Sequence, residues 1–377
     1  MSNCPYKILK NEKSFFLILI MSFLHFSCKD VNSEELSVIP IDIDSDTSVP
    51  ISMISADITA IELESGDKSI INPDQIRSVH LFEEKLIVHV QNKIFIFTMG
   101  GKFVRSIGST GQGPGEFNIL LKLAVDEKNK RLIVVDHSKI ICYDLNGEFL
   151  FQSSAVFEKG KQVYDINRID DEMFALVDQI GAKDTKGLFS QPQLYTMSDD
   201  FQIIDSITIR KTYYETLEAY GYMWTDLILN ANSKSYFYSP DHPWIHPNVV
   251  TKAVLHDTLY RFENKKLVPE LKLRFKNNWL SGDTKIIEIC SIYRSERFVF
   301  AVYINRGFFS FCYDAKTRKG YNMKNGFTDD IHNIEKRISI RPFASNTEFF
   351  YYWHTHISED NLYKEPNPTL YIGRLKK

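Results

Sequence analysis

The sequence predicts an all-β protein, a six-bladed β-propeller of four-stranded antiparallel blades closed by an N-terminal strand in the last blade. Three observations predict it. From residue 51 on, short runs of Val, Ile, Phe and Tyr alternate with Gly, Asn and Asp turns; a four-strand unit recurs; and its third strand can be matched six times. Stretches with a 3.6-residue period are few. With 377 residues, 44% of them hydrophobic, and 45 Lys+Arg against 48 Asp+Glu, the chain is neither disordered nor collagen-like. A net charge of −3 with no segregation of basic residues gives no field for a phosphate backbone, so nucleic acid is not an expected partner.

Residues 1–27 read as a signal peptide. Lys7, Lys10 and Lys13 form a basic start, and Phe15 to Leu24 is an apolar run. At ~1.5 Å per residue that run is too short for a ~30 Å hydrocarbon core. It ends at Ser27-Cys28, which resembles a bacterial lipoprotein cleavage site with Cys28 as the acylated first residue. His25 and Phe26 stand where Leu and a small residue are usual, so an ordinary secretory signal is the alternative. Both readings send the chain out of the cytoplasm; the lipoprotein reading makes the outer membrane its partner through a lipid anchor. Cleavage moves the net charge from −3 to −5. Residues 28–50, rich in Asp, Glu and Ser without a clean period, are expected to be a flexible tether. Lys29-Asp30 resembles a short surface-export signal, and periplasmic and surface display stay open.

The clearest repeat is Leu120 to Phe151: strand, Asp-Glu-Lys-Asn turn, strand, His-Ser turn, strand, Asn146-Gly147 turn, strand. Residues 77–107 repeat the pattern. Third strands start at Ile94, Ile140, Leu194, Leu259, Phe308 and Leu370, about 55 residues apart, within the range of propeller repeats carrying inserted loops. The sixth ends at the C-terminus with no fourth strand after it. Ile58 to Leu63 is therefore expected to supply the missing outer strand and hide the sheet edges of a linear array. These elements make residues 51–377 one domain.

Gly108 to Phe117 (GSTGQGPGEF) resembles the inter-blade signature of NHL-type propellers. With Asp57 to Ser65, Asn146-Gly147, Asp257 to Tyr260 with Pro269, and Asn367 to Leu370, it makes the chain similar to the six-bladed β-propeller lipoproteins of Gram-negative bacteria, a family largely of unknown function. The resemblance implies a single propeller and no particular activity. Physically, the glycines permit crowded or left-handed backbone where the chain crosses from one sheet to the next, and Pro114 fixes one turn. A phosphate cradle is disfavoured because a strand follows, with no Lys-Ser/Thr.

Candidate chemistry is sparse. Cys142, Cys290 and Cys312, an odd set, are expected as buried free thiols. His354 and His356 share one face of a strand, but their possible co-ligands His332, Glu359 and Asp360 follow no zinc spacing, so no metal and no cofactor is assigned. The segment between Leu194 and Leu259 collects aromatic residues, and Trp224, Tyr236, Tyr238 and Trp244 with His242 and His246 are the candidate ligand-binding surface, against the alternative that they pack as core. The expected function is a lipid-anchored, non-catalytic binding or scaffold propeller, a monomer whose ligand is a glycan or a partner protein. A channel-mouth hydrolase or lyase, possibly using a divalent cation, is the alternative, because such sites scatter one residue per blade and leave no linear motif.

Overall fold

The computed structural model describes residues 36–137, 139–154, 157, 161–214, 225–240, 255–276, 280–281, 284–285, 287–355 and 366–377. The chain divides into a short N-terminal unit ending at Ser37 and a large unit, Val38–Lys377, to which the sheets belong. Its fold is all-β and propeller-like. Among the described residues, six sheets have four or more strands. Sheet 1 runs Ile76–Phe82, Lys85–Val90, Lys93–Thr98 and Phe103–Ile107; sheet 2 runs Lys122–Asp126, Arg131–Val135, Lys139–Asp144 and Phe149–Ser154. Sheet 3 is built on Lys161–Ile169, Glu172–Asp184, Gln193–Met197 and Ile203–Thr208, with two short strands added, and sheet 4 on Ile228–Ala231, Lys234–Phe237, Thr258–Glu263 and Lys266–Phe275. Sheet 5 runs Glu288–Arg294, Phe298–Ile304, Phe308–Asp314 and Lys319–Lys324; sheet 6 runs Arg341–Phe343, Asn346–His354, Thr369–Leu375 and then Ser55–Glu62.

All six third-strand matches fall on third strands. Burial explains why those strands read so clearly. The first two strands of sheet 2 are buried at every position, Lys122, Asp126 and Arg131 being the charged members of otherwise apolar runs, whereas the fourth strands of sheets 1 to 3 are mostly exposed although each carries three apolar residues. Each sheet thus passes from a covered inner edge to a wet outer edge. In sheets 1 to 4 the pairing of third and fourth strands slips by one residue, at Phe97, Tyr143, Met197 and Tyr260. A bulge there increases the local twist, which lets neighbouring sheets pack without splaying. In sheet 2 the adjoining turn is the Asn146-Gly147 hairpin, where Gly147 takes φ +81° and Asp144 Oδ1 accepts from the amides of Asn146 and Glu148, both at 2.8 Å.

The pairing of Ser55–Glu62 with Thr369–Leu375 is antiparallel, with Ile58 opposite Gly373 and Ile61 opposite Leu370. Gly373 is needed because a Cβ there would sit 2.3 Å from the Phe350 ring. Residues 36–50 differ from the expected tether. Ser37–Ile41 is a strand beside Lys266–Phe275 at the edge of sheet 4. Further on, Thr47 donates to the Asn322 carbonyl of sheet 5 at 2.7 Å, and Asp46 Oδ1 accepts from the Lys324 amide at 2.9 Å. The acidic composition masked a short alternation: Ile39, Ile41 and Ile43 are covered at every second position while Asp42 and Asp44 face water, and Val49 is buried further on.

Each hydrophobic cluster lies between consecutive sheets. One joins sheets 1 and 2, another sheets 2 and 3, a third spans sheets 3 to 5 and includes Ile39, Ile41 and Ile43, and a fourth joins sheets 5 and 6 with Val49, Ile51 and Ile54. A fifth joins sheet 6 to sheet 1 through Ile61, Leu370 and Tyr351 on one side and Val79, Leu86 and Phe97 on the other. Ile41 is fully buried, so Ile41→Ala should cost ~2–5 kcal/mol and lower the urea midpoint. An unchanged midpoint would mean that residues 36–50 are a tether after all.

Candidate functional site

The first strands of sheets 6, 1, 2, 3 and 4 lie next to one another in that order. Their inner edges bring together charges that the sequence scatters. Lys122, on the first strand of sheet 2, lies 3.0 Å from Asp165 Oδ1 of sheet 3 and 2.5 Å from Asp226 Oδ1, just before sheet 4; all three side chains are buried. Asp165 Oδ2 also accepts from the amides of Leu227 at 2.6 Å and Ile228 at 2.8 Å, and its Oδ1 from Ile166 at 2.9 Å. Every acceptor position of Asp165 therefore faces a donor, which suits the ionised form and works against burial, whose effect still leaves the carboxyl raised. Arg341 of sheet 6 donates through Nη1 to the Arg77 carbonyl of sheet 1 at 2.7 Å and stacks on Trp353, 4.8 Å from the ring centre.

Electrostatics follow from burial. Burial alone would lower the Lys122 ammonium, but Asp165 and Asp226 outweigh it and hold it raised. Burial would likewise raise Asp226; Lys122, with His80 and Arg341 nearby, leaves it lowered instead. His80, whose Nε2 lies 2.9 Å from Ser78 Oγ, is pushed down to about 4 by burial, and His89 to about 3. Both are neutral imidazoles at neutral pH. Arg77 is lowered first by burial and then by the like charge of Arg341.

Beside this cluster is a cavity of about 710 Å³. Its inner wall is Arg77, Asp226, Arg341, Tyr351 and, from the first strand of sheet 5, Cys290, Ser291 and Tyr293; Phe308, Asn325, Lys336 and Ser339 stand at its exposed mouth. Sheet 4 reaches sheet 6 directly, the Asn230 amide donating to the Ala344 carbonyl at 2.9 Å. Sheet 5 lies on the other side of the opening, tied to sheet 6 by Thr347 Oγ1 donating to the Arg294 carbonyl at 2.6 Å.

The aromatic candidates divide differently. Tyr236 and Tyr238 are buried, and the Tyr238 hydroxyl lies 3.0 Å from the His256 carbonyl and 2.9 Å from that of Ile289, both within hydrogen-bond reach. These two rings are core, not an exposed platform, because the chain is covered on both faces here, Phe237 between them being buried as well. Trp224, His242, Trp244 and His246 lie outside the described residues, as do Cys28, His356, Glu359 and Asp360. His332 is engaged with Asp329, its Nδ1 3.4 Å from Oδ2. Cys142, Cys290 and Cys312 are buried free thiols, the last two on the first and third strands of sheet 5. In the glycine-rich connector, the chain's own Glu116 carboxylate accepts from the Gly113 amide at 2.9 Å, and a Cβ on Gly111 would meet that carboxylate at 2.1 Å. The loop is filled by Glu116, so it spaces sheets and does not cradle a phosphate.

The family model described as Domain of unknown function (DUF4934) matches residues 36–375. The chain belongs to that family. A search of the curated proteins returns no match. Among solved structures, a Bacteroides fragilis protein provisionally described as exported is similar at TM-score 0.58 and 15% identity, over 91% of this chain and all of that one. A member of the DUF4221 family from Bacteroides vulgatus reaches TM-score 0.45 at 11% identity, over 85% of this chain and 97% of the other. The WD40 domain of Neurospora crassa Pan2 reaches 0.43 at 11%, over 80% and 76%. No described helix is long and apolar enough to cross a membrane.

Sequence reading missed the cluster in this DUF4934 chain. The available signal was one charged residue at or just before the first strand of five repeats: Arg77, Lys122, Asp165, Asp226 and Arg341. The buried histidines give the site a pH dependence. Unfolded histidines titrate near ~6.5, while folded His80 and His89 titrate at about 4 and about 3. The unfolded chain thus takes up protons first as pH falls. Their contribution is intact above pH ~6.5 and is lost toward the folded values, at no more than ~1.4 kcal/mol per pH unit per histidine. Urea midpoints should fall between pH 7 and pH 5, and His80→Gln should flatten that fall; identical slopes would remove His80 from the account.

Proposed function

We propose that this DUF4934 protein is a lipid-anchored, six-bladed β-propeller of the cell envelope that binds a ligand, a glycan or a partner protein, in the cavity at the inner ends of its sheets. The observation that carries this reading is the cavity itself. At about 710 Å³ it has the size of a small-ligand site, and side chains from sheets 1, 5 and 6, with Asp226 from just before sheet 4, converge on it, charged and polar groups prominent among them. Six repeated sheets, the last completed by Ser55–Glu62 and packed against the first, support six blades in a closed ring. The glycine-rich connector supports an NHL-like type, though only between sheets 1 and 2.

Export is supported by the signal-like N-terminus and agrees with the provisional description of the Bacteroides fragilis protein. Mass analysis of the mature N-terminus should find an acylated Cys28, absent in Cys28→Ala, and cleavage elsewhere would end the lipoprotein reading. For the site, the mature chain carrying Cys28→Ser should bind at least one class on a glycan array or retain an envelope protein. Ser339→Trp, which places an indole at the exposed mouth, should abolish that binding without lowering the thermal midpoint. Binding that survives Ser339→Trp would move the site elsewhere.

A further inference from the structure

We propose that the rim between sheets 4 and 5, where the strand Ser37–Ile41 is seated, docks on anionic lipid headgroups, so that the anchored protein lies with this rim against the bilayer. The inference rests on the lipid-anchored reading and adds which surface the anchor presents.

The stretch that leads to the anchor sets the place. The large unit begins at Val38, ten residues after Cys28, and at ~3.6 Å per residue the chain between them spans at most ~36 Å. The strand is held on both sides. Its Ile41 carbonyl accepts from the amide of Lys276, just after sheet 4, at 2.8 Å, and a Cβ on Gly320, in the fourth strand of sheet 5, would lie 3.7 Å from the Pro40 carbonyl. Ile39, Ile41 and Ile43 share one core with Leu273 and Phe275 of sheet 4 and Phe311 of sheet 5. An acyl chain on Cys28 therefore brings this rim, before any other surface, to the headgroups.

Charge selects the partner. On the sheet 4 side Lys272, Arg274 and Lys276 are exposed, alternating with buried Leu271, Leu273 and Phe275; on the sheet 5 side Arg318 and Lys319 are exposed beside Gly320. That alternation is why the strip does not read as a basic run in the sequence. Acids answer only part of it: Asp257 lies 3.6 Å from Lys272, Glu270 pairs with Arg261 at 3.3 Å and with Arg294, and Asp42 stands exposed after the strand. The fourth strands of sheets 1, 2 and 3, by contrast, hold one cation between them, Arg105. With a net charge of −5 on the mature chain, an anionic bilayer repels the acidic remainder while it attracts this rim, and both effects turn the rim toward the surface. Val38 and Val268, on the two outermost strands of sheet 4, are 40% and 36% exposed, which suits the boundary between headgroups and acyl chains. An acidic protein would meet the same charges, but the short anchored stretch puts the bilayer there first.

The test couples the mature chain through the Cys28 thiol to maleimide lipid in vesicles, Cys142, Cys290 and Cys312 being buried, and reads acetylation of single lysines by mass spectrometry. On vesicles that are about a third phosphatidylglycerol, Lys272, Lys276 and Lys319 should react at least ~3-fold more slowly than on neutral phosphatidylcholine vesicles, with Lys102 at the last turn of sheet 1 unchanged. The protection should vanish between ~50 and ~500 mM salt as the Debye length shrinks. Arg274→Glu combined with Arg318→Glu, both at exposed positions, should abolish it without lowering the thermal midpoint. Equal acetylation on the two vesicle types, protection spread equally to Lys102, or protection indifferent to the double substitution overturns the docking surface. The maleimide bond stands in for the acyl chain, so failure here is distinct from failure of the lipoprotein reading, which the mass of the mature N-terminus decides.

Discussion

Lys122 between Asp165 and Asp226 is the contact on which the inner architecture depends. It ties sheets 2, 3 and 4 at their closest approach, where the first strands crowd together and side chains are confined. A buried ion cluster is a weak source of net stability, because the desolvation of three charges consumes most of the Coulombic gain. Its value lies in direction. Asp165 receives the amides of Leu227 and Ile228 as sheet 4 begins, so the strand start that would otherwise bury unpaired N–H groups is satisfied from the neighbouring sheet. An apolar side chain at Asp165 could fill the space but could not accept those amides. The same logic holds between sheets 2 and 3, where buried Asp126 pairs with Arg131 at 2.8 Å and Arg168 at 2.7 Å. Hydrophobic clusters between the sheets supply the bulk of the stability, and these polar contacts fix which strand meets which.

That division of labour decides what was legible in the sequence. Repetition was legible most clearly in sheets 1 and 2, whose third strands are covered on both faces: Ile140 to Tyr143 and Ile94 to Phe97 are buried without exception. The strand Ser55–Glu62 was legible by bookkeeping, since a sheet short of one strand at the C-terminus needs one from elsewhere. Residues 36–50 were not legible, because an edge strand and a strap bury one residue in two or three and show the composition of a linker. Tyr236 and Tyr238 misled for the opposite reason. An aromatic-rich stretch was treated as one surface, although Tyr236 and Tyr238 flank buried Phe237 at the end of a strand covered on both faces. The charged cluster was hidden because its members are 43 or more residues apart and each stands among other polar residues at or just before a strand.

The cavity follows from the same geometry. Sheets 6, 1, 2, 3 and 4 have their first strands packed side by side, and sheet 4 is hydrogen-bonded to the turn after the first strand of sheet 6 through Asn230 and Ala344. Once sheets 4 and 6 touch, the first strand of sheet 5 cannot also reach the centre. The space it leaves is walled by Cys290, Ser291 and Tyr293 on its own side and by Arg77, Asp226 and Arg341 opposite. Among the described residues the opening is thus walled by first strands that do not meet and by the segment between sheets 5 and 6, which brings Asn325, Lys336 and Ser339 to its mouth.

A site made in this way can change without disturbing the fold. Its charged members stand on first strands (Arg77, Arg341), just before one (Asp226) or in the segment between sheets 5 and 6 (Lys336, Arg337), while the clusters that hold consecutive sheets together are apolar. Arg341 and Lys336 can be exchanged at little cost to the core, whereas Lys122 cannot, because removing it would leave Asp165 and Asp226 buried together without a counter-charge. The inner ring of charge thus has a fixed half, which aligns sheets 2 to 4, and a variable half facing the cavity. Family membership thus defines the frame, while what distinguishes one member from another has to be read from individual side chains.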